Sequence, residues 1–266
     1  MAVATVRHCH LNVKAVSLGQ LSLFSMPDLL KKVRSDLRVY ANPEKAVSLS
    51  RFFKTGKGQY GHGDQFIGVT VPNTRKVARV YGTLSEGEIA SLLHSPIHEE
   101  RLLALLILVE QYQKGDAKIK KQVASTYLKN ITHVNNWDLV DLSADKILGD
   151  YCQIHDADIL FDFARSDDLW KRRIAMVATY HTIKQGDASL ALEIATILKD
   201  DSHDLIQKAV GWMLREVGKR CGKKIEQEFL DKYAATMPRT MLRYAIEQFN
   251  STEKAHYMGL AKNLKK

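Results

Sequence analysis

Cysteine is scarce in this chain of 266 residues: Cys9, Cys152 and Cys221 are scattered and form no CxxC pair. That excludes a disulfide scaffold and a thiolate zinc site, and it fits a reducing compartment. Long apolar runs are missing too. The longest, Leu102 to Val109, falls far short of the roughly 20 residues that a membrane-spanning helix needs. A soluble protein is expected, cytoplasmic and nucleoid-associated if the source is bacterial. No stretch alternates apolar and polar residues between turn signals, so no sheet is expected. Several chemical signatures are absent as well. His98-Glu99-Glu100-Arg101-Leu102 starts like HExxH but has Leu102 where the second histidine belongs, and no EF-hand or Walker A pattern occurs. His8-Cys9-His10 could grip a metal only if ordered. No local Ser/His/Asp or Cys/His set stands out, although such groups can assemble from distant positions, and no metal or organic cofactor is expected.

What is present is positive charge and helical periodicity. A formal charge of +9 and a pI near 9.3 favour a polyanionic partner, nucleic acid before an anionic membrane. With 45% apolar residues the chain can bury one large core or form a single repeat array. Residues 1–25 hold two bases and no acid and read as an unstructured leader. The first clear helix opens at Ser25-Met26-Pro27-Asp28, with Pro27 suited to a first turn. Residues 26–266 are expected to form one domain.

From Asp28 onward apolar residues recur at helical spacing almost without pause. One break, Thr55 to Asp64, carries Gly56, Gly58 and Gly61 in a G-x-G-x-x-G array. A dinucleotide site needs a strand before it and a helix directly after it, and here a helix precedes and Phe66 to Pro72 follow. A flexible basic loop that meets phosphates through Lys54, Lys57 and backbone amides is the better reading. The segments also repeat. Arg101 through Gly115-Asp116 parallels Arg173 through Gly186-Asp187, with Gly closing one helix and Asp capping the next. His203 to Gly222 follows the same template more loosely, with Lys208 near the slot of Arg101 and Arg173. Stacked hairpins of this kind curve and expose a concave face. Repeated bases there, Arg101, Arg172, Lys208 and Arg215, would track a phosphate backbone, unless they pair with acids such as Glu99, Asp168 and Glu216.

The chain is organised around Asn135-Asn136-Trp137-Asp138-Leu139-Val140-Asp141. The asparagines suit an N-cap, and Trp137 and Asp141, four apart, share a helix face. Asp138 is either a first-turn partner of the helix dipole or a second catalytic carboxylate. Trp170 and Trp212, the other two tryptophans, are each followed three residues later by a cation, Arg173 and Arg215. If the three helices lie side by side, one acid, several bases and the indoles meet on one face. The alternative is that the tryptophans only fill a core.

Phe66-Ile67-Gly68-Val69 with Val71-Pro72, His94 to Arg101, Asn136 to Asp141, Leu169 to Arg173 and Ile206 to Glu216 together resemble the AlkD-like DNA alkylation repair proteins, in order and spacing, from about Met26 to the C-terminus. The resemblance implies an all-α, HEAT-like solenoid that binds duplex DNA in a basic concave face. It also implies a monofunctional DNA glycosylase acting on N3-alkyladenine and N7-alkylguanine, expected to work as a monomer and to leave the lesion stacked. It makes Asp141 the catalytic carboxylate, Trp137 the aromatic beside it, Arg173 the active-site arginine and Trp212 the second active-site tryptophan. An early-helix aromatic of the family falls at Phe52 or Phe53, where a tyrosine is usual, and Asn136 stands where a tryptophan is common. The residues alone leave a rival open, a non-enzymatic helical-repeat module that binds DNA structure or a protein.

Overall fold

Apolar positions return every three or four residues, and the backbone answers with one helix after another. A computed structural model of the chain describes residues 26–263; the expected leader and its His8-Cys9-His10 motif lie outside them. In order, the helices are α1 (Met26–Arg38), α2 (Pro43–Phe52), α3 (Val71–Val80), α4 (Glu86–Leu93), α5 (His98–Lys114), α6 (Ala117–Lys129), α7 (Trp137–Ala144), α8 (Asp150–Ile154), α9 (Asp158–Ala164), α10 (Leu169–Ala178), α11 (Tyr180–Ile183), α12 (Ser189–Leu198), α13 (Asp204–Arg220), α14 (Lys223–Tyr233), α15 (Arg239–Ala245) and α16 (Ser251–Asn263). Among the described residues there is no strand, and Gln65 and Ile97 form an isolated parallel bridge. The architecture is the all-α helical-repeat solenoid expected from the sequence.

Caps set the helix starts. Asn42 accepts from Lys45 N–H at 2.9 Å, Asp116 from Ile119 N–H at 2.9 Å and Asp168 from Trp170 N–H at 2.7 Å, which satisfies donors that a first turn leaves open. Helices α5, α7, α10, α13 and α15 form a ladder in which each packs on the next. Leu103 and Ile107, Leu139 and Val140, Ile174 and Ala175, and Val210 and Met213 are fully buried along its rungs. Each large side chain buried there contributes about 1.5–3 kcal/mol. At two rungs only a glycine fits. A Cβ on Gly149 would lie 2.4 Å from the Ala178 carbonyl oxygen, and one on Gly211 would lie 2.4 Å from that of Met241.

Two expected helices are interrupted. Asn136 to Tyr151 reads as one helix in the sequence, yet α7 passes through a π-helical segment, Asp145–Gly149, before α8. Buried Asp145 is held there by Lys146 at 2.8 Å and Lys184 at 2.9 Å. Asp168 to Gln185 likewise breaks at Thr179, whose hydroxyl donates to the Met176 carbonyl at 2.7 Å. Local periodicity carries neither contact.

Candidate active site

Three consecutive ladder helices present one face each to a shared cleft. On α7 the Asn136 side chain accepts from Trp137 N–H at 2.9 Å, and Trp137 and Asp141 project together as four-residue spacing requires. On α10, Arg173 follows the Asp168 cap by just over a turn. On α13, Lys208, Trp212 and Arg215 recur at helical pitch. Trp137, Asp141, Arg173, Lys208, Trp212 and Arg215 line a cleft of about 730 Å³ together with Phe52, Lys54, Tyr60, His203, Asp204, Leu205 and Tyr244.

At its floor Asp141 and Arg173 form a two-pronged ion pair. Arg173 Nε donates to Asp141 Oδ1 at 3.0 Å and Nη2 to Oδ2 at 2.7 Å, while Nη1 donates to the Leu205 carbonyl at 2.6 Å. Parallel bonds of this type fix orientation as well as charge. Arg173 is almost fully buried, whereas the Asp141 side chain keeps 19% of its surface open to the cleft. Burial pushes the Asp141 carboxyl above the usual carboxylate range, and the Arg173 guanidinium opposes that rise.

Trp137 is held by an aromatic stack. Phe53 lies parallel to it, with centroids 5.0 Å apart and planes at 15°, and Phe66 stacks on the far side of Phe53 at 5.1 Å. Phe52 meets Trp137 edge-on at 5.7 Å and remains 60% exposed. The two candidate aromatics therefore separate: Phe52 lines the cleft, and buried Phe53 props Trp137.

Behind this wall lies a buried ionic brace. His98 Nδ1 pairs with Asp64 at 3.0 Å and Nε2 with Asp138 at 2.8 Å; Arg101 donates to the second Asp64 oxygen at 2.6 Å, and Asn136 Nδ2 to Asp64 at 3.2 Å. Burial works against a charged imidazole, but Asp138 and Asp64 outweigh it and push the His98 pKa up to about 9. Burial would likewise raise the Asp64 pKa, and His98 and Arg101 hold it below its ordinary value instead. Two protonated donors between two carboxylates tie the 55–64 loop to α5 and α7.

Several expectations are corrected by the positions of these side chains. Arg101 is buried, with its guanidinium committed to Asp64 and to the Ser95 carbonyl at 2.9 Å, so it does not face a phosphate backbone. Arg172 is only half-buried but does not line the cleft, and it is paired with Asp201 at 2.7 Å and with the Ser166 and Asp167 carbonyls. Asp138 is bound to His98 and does not line the Asp141 cleft. Trp170 does not line it either, but meets Tyr60 edge-on at 6.0 Å. Lys54, Lys208 and Arg215 do line it. There Lys208 pairs with Asp204 at 2.6 Å, and Arg215 pairs with Glu247 and, at 3.5 Å, with Glu216, one of the acids expected to compete for it. Lys57 is exposed on the loop, away from the cleft lining. Sequence reasoning missed Tyr60, His203 and Tyr244. The signal for Tyr60 was an aromatic in the middle of the glycine-rich break.

Fold and site define an α-helical repeat protein with a carboxylate–guanidinium pair at the base of an aromatic, basic cleft. A family model described as DNA alkylation repair enzyme matches residues 33–249, and the chain belongs to that family. A solved structure from Enterococcus faecalis, described as a predicted DNA alkylation repair enzyme, is similar with a TM-score of 0.62 and 18% identity, over 79% of this chain and 97% of that one. AlkD2 from Streptococcus mutans is similar with a TM-score of 0.52 and 15% identity, over 85% of this chain and all of that one. At such identities the likeness is one of fold. No curated protein matches the chain in sequence.

Proposed function

We propose that this protein is a monofunctional DNA glycosylase that hydrolyses the N-glycosidic bond of cationic alkylated purines, N3-alkyladenine and N7-alkylguanine, in duplex DNA. The observation that carries the reading is Asp141, a carboxylate fixed by Arg173 and open to a cleft walled by Trp137, Trp212, Phe52 and Tyr60.

A purine alkylated at N3 or N7 carries positive charge, so its glycosidic bond is already weakened and the base leaves without a strong general acid. The enzyme has to stabilise an oxocarbenium-like sugar and place a water. An ionised Asp141 does both, by its charge and by accepting a hydrogen bond from the attacking water. The π faces of Trp137 and Trp212 attract the same developing cation. Because its donors are spent on Asp141 and Leu205, Arg173 orients the carboxylate and favours its ionised form. The flanking phosphates fall to Lys54, Lys208 and Arg215, whose charge positions the backbone without reading sequence.

Chromatography of the bases freed from methylated duplex DNA tests this directly. The purified protein is expected to release 7-methylguanine or 3-methyladenine. DNA binding without any base release would contradict the reading and leave a non-enzymatic DNA-binding module.

A further inference from the structure

The glycine-rich segment that follows α2 is built to hold one side chain. Lys54 turns the chain with a φ of 56°, Gly61 N–H returns to the Lys54 carbonyl at 3.1 Å, and a Cβ on Gly61 would lie 2.3 Å from the Phe53 carbonyl oxygen. At its far end Asp64 is clamped by His98, Arg101 and Asn136. The loop is thus fixed at both ends, and Tyr60 stands between the fixed points.

The Tyr60 ring rests edge-on against Trp170 and lines the cleft beside Trp137, Asp141 and Arg173. A phenol hydroxyl carries one proton to donate and an oxygen that can accept. The cations that share the cleft with it, Lys208 and Arg173, accept nothing, and the carboxylates Asp141 and Asp204 are already engaged by Arg173 and Lys208. An oxygen brought into the cleft would take that proton.

We propose that Tyr60 is a substrate-contacting residue, whose hydroxyl donates to a sugar–phosphate oxygen of the nucleotide held at Asp141. The inference rests on the glycosylase reading and extends it to a residue outside the helical ladder. Tyr60→Phe keeps the ring and removes the hydroxyl.

The test is single-turnover release from a duplex oligonucleotide bearing one 7-methylguanine, with the melting temperature and the affinity for undamaged duplex measured alongside. Loss of one such hydrogen bond is expected to slow release about tenfold, with melting temperature and undamaged-duplex affinity as in the wild type. An unchanged rate in Tyr60→Phe, with an active wild type, overturns this inference alone. A slower rate matched by a fall in melting temperature marks Tyr60 as a prop of the loop and overturns it too. No release by the wild type sinks the glycosylase reading itself, which the other outcomes leave standing.

Discussion

Asp141 illustrates how one side chain's environment sets its chemistry. Under the proposed function its carboxylate has to be ionised to stabilise positive charge, yet burial favours the protonated form and Arg173 restrains that preference. Because the pKa lies above its ordinary value, base release is expected to fall on acidification with a half-point above the free aspartate value of about 3.9. Arg173→Met removes the opposing charge and moves the half-point to higher pH. A pH–rate profile checks both; a wild-type half-point at or below the free value, or an unmoved one in the variant, goes against the assignment. The pairing of Trp137 with Asp141 was legible because four-residue spacing on one helix is a local fact. The fates of Arg101 and Arg172 were not. Their partners, Asp64 and Asp201, lie far away in the chain, and a guanidinium that tracks phosphates looks the same in sequence as one that braces a loop.

Between elements, two devices hold the cleft in shape. The first is the His98 brace joining the 55–64 loop to α5 and α7. The His98 pKa rises from 6.5 to about 9 on folding. Its stabilisation is therefore fully present below pH 6.5 and is lost as pH rises through about 9, an effect on the order of 3 kcal/mol for a buried group. Thermal melts across that window should show the decline in the wild type and a flatter profile in His98→Asn; parallel curves would remove the brace from the account. The second device is the close approach of α13 to α15 at Gly211, which sets Tyr244 beside Trp212. Gly211→Ala forces the helices apart and is expected to cost about 1–3 kcal/mol. A denaturant midpoint equal to that of the wild type would refute the contact. Periodicity and caps showed where most helices begin. They gave no sign of the π-helical segment after α7, where Asp145 is held by Lys184 from far along the chain, or of the break at Thr179, whose hydroxyl bonds the Met176 carbonyl.

For the molecule as a whole, the charge of +9 pointed to a polyanion, and the repeated Gly-Asp punctuation pointed to stacked hairpins. Both readings are sums over many residues, so they survive the loss of Arg101 and Arg172 from the set of phosphate-facing cations. If Lys54, Lys208 and Arg215 are the ones that meet DNA, then Lys208→Ala lowers the slope of log affinity against log salt by about 0.9, and Arg172→Ala leaves it unchanged. Equal slopes for both variants would return Arg172 to the interface. If Asp141 carries the chemistry rather than the binding, Asp141→Asn binds duplex DNA as the wild type does and releases 7-methylguanine about 100-fold more slowly or worse. Release and duplex affinity measured together for that variant decide the matter: release at the wild-type rate would take Asp141 out of the reaction.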